Sequence, residues 1–187
     1  MEQGRQQTYL LHGITGSGKT EVYVKIVKKT IEMGKQAIIL IPEIALTYQT
    51  VRYFRNYFGD RVTIINSRLS DGEKYDQFMR AKNGDVDVVI GPRSALFAPF
   101  QNLGIIIIDE EHETSYKSDY PPKYHARETA VKRAELEHAS VLLGSATPSV
   151  ESYHRALNGT YRLLELHERA GSGQLAKTSI VDLRKEL

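Results

Sequence analysis

The chain has 187 residues, 41% of them hydrophobic, with a formal net charge of +2, which suits one α/β domain with a real core. No apolar run is long enough to span a membrane, and none reads as a secretory signal. The absence of cysteine excludes disulfides and cysteine-based zinc sites, and the six scattered histidines form no H-x-x-x-H pair of the zinc-protease kind.

Apolar runs alternate with helix-like stretches along the chain. In order, the predicted strands are Tyr9–His12, Ala37–Ile41, Val62–Ile65, Val86–Ile90, Ile105–Asp109 and Val141–Gly144. The predicted helices are Lys19–Met33, Ala45–Tyr57, Ser70–Ala81, Ala126–Glu137 and Val150–Leu157. Such alternation predicts an α/β fold with a mainly parallel sheet and helices on both faces. From about Glu165 the pattern weakens. The segment ERAGSGQLAK reads as a linker, and Ser179–Leu183 as the start of another strand. The expected division is a domain over 1–165 and a connection over 166–187 to something longer.

The segment GITGSGKT, Gly13–Thr20, lies between the first strand and the first helix. That is the context of a phosphate-binding loop. Gly13, Gly16 and Gly18 let the backbone curl, so that N–H groups from Thr15 to Thr20, Ser17 included, face a polyphosphate at the positive end of the helix. Lys19 is expected to reach the β- and γ-phosphates, and the Thr20 hydroxyl to sit on Mg²⁺.

The unbroken run LGIIII, Leu103–Ile108, predicts a central strand buried on both faces. It ends in Asp109-Glu110-Glu111-His112. Sites in open α/β sheets lie at the carboxyl ends of strands. Asp109 is therefore the expected Mg²⁺ residue, and Glu110 the residue that orients and activates water. His112 reads as a relay to a second lobe rather than as a metal ligand.

The near-neutral charge means that any nucleic-acid site is a local patch. Four loops follow strand ends. Ile41–Gln49 carries Thr47 and Gln49, and Gly91–Phe97 carries Arg93 and Ser94 for a strand backbone. Glu113–Arg127 interleaves Tyr116, Tyr120 and Tyr124 with Lys117, Lys123 and Arg127. Rings for bases beside cations for phosphates suit a single-stranded site. In GSATPS, Gly144–Ser149, the hydroxyls of Ser145 and Thr147 can bond both loop and acidic site.

Together GITGSGKTEVY, IPEIALT, GPRSALF, DEEHETSYKSDYPPKYHAR and LGSATPS resemble the first motor lobe of the superfamily 2 DNA helicases, and within them the replication-restart helicases. The likeness runs from about Leu10 to about Leu187. It implies a RecA-like three-layer P-loop NTPase lobe that uses ATP or ADP with Mg²⁺. It also implies a protein of the bacterial cytoplasm and nucleoid that unwinds DNA 3′→5′ at stalled forks. Its partners would be forked and single-stranded DNA, the rest of the helicase chain, single-strand-binding protein and primosome proteins. By the same likeness Lys19, Thr20, Asp109 and Glu110 are the ATPase residues. Ser145 and Thr147 couple hydrolysis to unwinding, and Tyr116–Arg127 is an aromatic-rich loop that senses single strands.

Several parts of that family pattern do not stand in this sequence: the second lobe with its arginines, the eight zinc-binding cysteines, the amino-terminal DNA-binding domain and most of the segment ahead of the phosphate loop. Zinc is accordingly not expected here. Asn66-Ser67-Arg68 stands where the family often has His-Ser-Gly. A partner arginine is worth roughly 10³–10⁵ in rate, so the chain alone is expected to bind nucleotide and hydrolyse it weakly. The rival readings are another superfamily 2 motor, a P-loop kinase and a non-catalytic docking module. The kinase reading leaves the Ser-Ala-Thr segment unexplained.

Overall fold

The computed structural model describes residues 7–169. Seven strands form one sheet: β1 Thr8–Gly13, β2 Gln36–Leu40, β3 Val62–Ile64, β4 Val88–Gly91, β5 Leu103–Ile108, β6 Ser140–Ser145 and β7 Arg162–Leu166. The helices are α1 Lys19–Glu32, α2 Tyr48–Phe58, α3 Asp71–Asn83, α4 Ala126–Glu137 and α5 Val150–Leu157. The strand order is β3-β4-β2-β5-β6-β1-β7, and every neighbouring pair is parallel.

The period of two along the strands divides the core into two layers. Ile38 and Leu40 of β2, Ile106 and Ile108 of β5, and Val141 and Leu143 of β6 face α4, where Ala126, Ala130 and Ala134 are buried. Ala37, Ile39, Ile107 and Leu142 face the other way, toward Tyr23, Val24 and Val27 of α1 and Phe54 and Phe58 of α2. Small residues on α4 let that helix lie close to the sheet, and aromatic residues on α2 fill the opposite layer.

Helix ends follow local chemistry. Ser70 and Glu73 form a reciprocal capping box at α3. The Thr47 side chain accepts from Thr50 N and starts α2 at Tyr48, three residues later than the predicted Ala45. The residues before it, Glu43–Ala45, make a separate 3₁₀ turn after Pro42. Strand β7 was not among the predicted strands. Its pattern is that of a half-exposed edge strand, in which Arg162, Leu164 and Glu165 are exposed. Because β7 pairs with β1 as far as Leu166 against Gly13, the expected boundary at 165 falls inside a strand. The predicted linker glycines and the Ser179–Leu183 strand lie outside the described residues.

Since all strands are parallel, their carboxyl ends share one edge. The neighbours β5, β6 and β1 therefore bring Asp109, Ser145 and Gly13 to that edge side by side.

Candidate functional site

The segment after β1 turns tightly. Ser17 N donates to Ile14 O at 3.0 Å, and Gly16 and Gly18 hold φ of 79° and 87°. These left-handed values favour glycine. A Cβ on Gly13 would come within 2.6 Å of Ser17 Oγ. Thr15, Gly16 and Thr20 are exposed at the rim. Ser17 Oγ is buried and has no hydrogen-bond partner among the described residues. Lys19 opens α1 and is buried; its Nζ donates to Gly13 O at 2.9 Å and lies 3.9 Å from Glu110 Oε1.

The acidic turn follows β5. Asp109 N still bonds to the sheet, donating to Leu40 O at 2.9 Å. Two tyrosines hold the residue. Tyr23 OH donates to Asp109 Oδ1 at 2.8 Å, and Tyr116 OH donates to Asp109 O at 2.7 Å. Burial pushes the Asp109 carboxyl above its ordinary range, despite the Tyr23 hydrogen bond and the nearby Lys19. Burial beside the same carboxylate also drives the Tyr23 and Tyr116 hydroxyls upward, so both stay protonated as donors.

Glu110 takes φ of 46°, a left-handed conformation uncommon outside glycine. The turn brings its carboxylate between two cationic or potentially cationic groups, with Oε1 toward Lys19 and Oε2 3.7 Å from His112 Nδ1. His112 Nδ1 lies 2.8 Å from Ser145 Oγ, which accepts from Thr147 N at 3.0 Å. A continuous series of contacts thus runs Lys19, Glu110, His112, Ser145, Thr147 across three strand ends.

Glu111 points the other way, into the protein. Its Oε1 accepts from Ser149 N at 2.7 Å. Its Oε2 accepts from Arg127 Nη1 at 2.9 Å, Ser152 Oγ at 2.8 Å and Ser149 Oγ at 3.1 Å. Burial pulls the Arg127 guanidinium down, but the bonds to Glu111 and Glu128 more than offset it, so its pKa lies above the ordinary value.

The segment Glu113–Arg127 has structure of its own. A 3₁₀ turn covers Thr114–Tyr116, Lys117 and His125 form an antiparallel bridge, and Ser118 N donates to Tyr124 O at 2.8 Å. This placement corrects two sequence expectations. Tyr116 is 1% exposed and Arg127 7%, so neither presents its ring or guanidinium to a nucleic-acid strand. Both turn inward because each has a buried polar partner waiting, Asp109 for one and Glu111 for the other. Tyr120, Lys117 and Lys123 are exposed on the loop, and Tyr124 is half-buried, edge-on to Phe97 at 5.3 Å.

Arg93 is anchored to the base of that loop, donating through Nη1 to Ser115 O at 3.1 Å and to Lys117 O. It shares a groove with exposed Ser94 and with Glu43, Asn66, Ser67 and Lys74. Asn66 has a local duty. Its Oδ1 accepts from Arg68 N and Leu69 N and closes the turn ahead of α3. Sequence reasoning missed Tyr23, Glu111, Ser149 and Ser152 as parts of this constellation. For Tyr23 a signal exists: it stands four residues after Lys19, hence on the same face of α1.

Comparisons with known proteins show the family and the fold. A family model for DEAD/DEAH box helicases matches residues 2–156. The chain belongs to the DEAD/DEAH box helicase family, whose motor domains use a nucleotide and Mg²⁺. At the level of particular proteins, it is 51% identical over 187 residues to the replication restart protein PriA of Bacillus subtilis, matching all of this chain and 23% of that protein. It is 48% identical over 182 residues to the PriA of Chlamydia trachomatis, matching 97% of this chain and 24% of that one. The chain therefore spans about a quarter of the length of these curated relatives. A solved structure of RecG bound to a three-way DNA junction superposes with TM-score 0.64 at 26% identity, over 91% of this chain and 22% of that one. The Pyrococcus furiosus Hef helicase domain, at 18% identity and TM-score 0.62 over 88% of this chain and 36% of that one, shares the fold. The neighbours identify the sheet as RecA-like.

Proposed function

We propose that this chain is the ATP-binding motor lobe of a 3′→5′ DNA helicase that acts at stalled forks in replication restart. The observation that carries the reading is the contact series from Lys19 through Glu110 and His112 to Ser145 and Thr147. It links a phosphate loop to a segment suited to couple hydrolysis to movement. The likeness to PriA over the whole chain supports the biological role.

In this reading the backbone of Gly13, Thr15, Gly16, Ser17 and Gly18 cradles the phosphates, and Lys19 leaves Gly13 O for the β- and γ-oxygens. Ser17 Oγ, buried and without a partner among the described residues, suits a loop shaped for a ligand. Thr20 and Asp109 would hold Mg²⁺, which when bound supplies charge neutralisation at the β- and γ-oxygens. A half-buried carboxyl at a strand end fits that group. Glu110 orients the attacking water and accepts its proton. Arg93, Ser94, Lys117, Tyr120 and Tyr124 line the side where a DNA strand would run. DNA, the remainder of a longer helicase chain, single-strand-binding protein and primosome proteins are the partners of this reading, in the bacterial cytoplasm at the nucleoid.

The test is calorimetry of Mg²⁺–ADP binding by the chain and by its Lys19→Ala variant. Saturable binding that collapses in the variant is expected. Failure of the chain to bind, or binding indifferent to Lys19, overturns the assignment. In the full-length protein, Glu110→Gln should abolish DNA-stimulated hydrolysis while ATP binding persists; a phosphotransferase would show no DNA stimulation at all.

A further inference from the structure

Tyr23 lies on α1, one turn past Lys19, and is 1% exposed. Its hydroxyl crosses to β5 and donates to Asp109 Oδ1 at 2.8 Å. It also sits against β6: a Cβ built on Gly144 would lie 1.8 Å from Tyr23 OH and 2.9 Å from the ring carbon that bears it. No side chain at position 144 is compatible with that hydroxyl. The glycine of the G-S-A-T segment therefore serves as the space that the hydroxyl needs to reach the acidic strand end.

We propose that Tyr23 is a positioning residue for Asp109, that its hydroxyl sets the carboxylate orientation in which Asp109 receives Mg²⁺, and that Gly144 exists to admit it. The terminal torsion of an aspartate is broad and roughly two-fold, so the torsion itself selects no carboxylate orientation and a hydrogen bond must. Tyr116 OH pins the backbone carbonyl of the same residue at 2.7 Å, so the freedom that is left lies in the side-chain torsions. A buried tyrosine hydroxyl needs a partner, and among the described residues Asp109 Oδ1 is the one it has. Such outer partners of metal-ligating carboxylates govern metal affinity by about 10–100-fold. The single hydroxyl also joins α1, β5 and β6, the three elements that carry the phosphate loop, the acidic turn and the Ser-Ala-Thr segment.

The inference rests on the nucleotide reading given above, and one experiment separates the two. ADP binding is measured by calorimetry with excess Mg²⁺ and with a chelator, for the 187-residue chain and its Tyr23→Phe variant. Phenylalanine keeps the ring and removes the hydroxyl alone. The expected result is that the Mg²⁺-dependent gain in ADP affinity falls about tenfold, while metal-free ADP binding and the thermal midpoint stay near those of the parent. An undiminished Mg²⁺ gain in the variant overturns the proposal. So does an equal loss with and without Mg²⁺ accompanied by a lowered midpoint, since that marks Tyr23 as packing only. Absence of ADP binding by the parent chain would instead overturn the nucleotide reading itself, and this inference with it. Gly144→Ala gives an independent check. Its methyl displaces the hydroxyl, so it should reproduce the Tyr23→Phe loss of Mg²⁺ dependence, and the double variant should lose no more of it. A Gly144→Ala chain that keeps both its fold and its full Mg²⁺ gain overturns the role given to the glycine.

Discussion

Glu111 and Arg127, sixteen positions apart, meet as an ion pair at 2.9 Å with side-chain exposures of 0% and 8%. The pair is completed by the hydroxyls of Ser149 and Ser152, so each charge taken out of water is met by further hydrogen bonds. It fastens the end of the acidic turn to the start of α4 and to the amino end of α5. The residues flanking the candidate site are thus held by a charge network behind it.

Removing one partner of such a pair leaves the other charge buried alone. Glu111→Ala is expected to cost about 3–5 kcal/mol in urea unfolding, a large part of the stability of an ordinary domain. Ser152→Ala, which removes one hydroxyl from the same node, should cost about 1 kcal/mol. A loss below that level for Glu111→Ala would mean that the pair is not buried in solution.

The aromatic residues of the 113–127 loop should separate by burial. Tyr120 is 79% exposed, so Tyr120→Ala is expected to change stability by no more than about 0.5 kcal/mol. If the loop meets bases, the same substitution should weaken single-stranded DNA binding by about 1–3 kcal/mol, read by fluorescence anisotropy on the full-length protein. Tyr116→Ala should do the reverse in kind and destabilise the chain first, by about 3–5 kcal/mol. Equal effects of the two on stability would contradict the observed packing.

Glu110 should carry backbone strain. Left-handed φ costs a residue with a Cβ about 1–2 kcal/mol, a cost that glycine escapes. Glu110→Gly is therefore expected to be more stable than Glu110→Ala by about 1 kcal/mol in chemical denaturation, although both lack the carboxylate. The opposite order would show that the turn relaxes when the side chain is removed.

The amino end of α4 should respond to acid. His125 Nδ1 accepts from Arg127 N at 3.2 Å and caps the helix. Burial lowers its pKa, with Arg127 and Lys117 acting the same way and Glu128 and Glu111 against it. The folded value lies below the unfolded value of about 6.5, so between the two the unfolded chain binds more protons. The stability contribution is complete above about pH 6.5 and is lost as pH falls through the folded value. His125→Asn keeps a capping acceptor and cannot titrate. Its thermal midpoint should fall less than that of the parent between about pH 7 and about pH 5; parallel falls would exclude His125 as a source.

Much of this molecule was legible in its residues. The glycine spacing from Gly13 to Gly18 demands a turn that only glycine takes comfortably, and the unbroken run Ile105–Ile108 suits a central parallel strand buried on both faces. These signals are local, carried by a few adjacent residues, and need no partner elsewhere. The strand order is not local. Nothing in the runs themselves says that β6 inserts between β5 and β1, yet that insertion brings Ser145 within 2.8 Å of His112 and Gly144 under the Tyr23 hydroxyl. The fate of polar loop residues is likewise decided at a distance. Tyr116 and Tyr120 look alike in the sequence, but Tyr116 has Asp109 O to bond and turns inward, whereas Tyr120 stays in water. A buried polar group is stable only where its partner waits. The identity of that partner is set by how distant segments pack, which the tertiary structure alone decides.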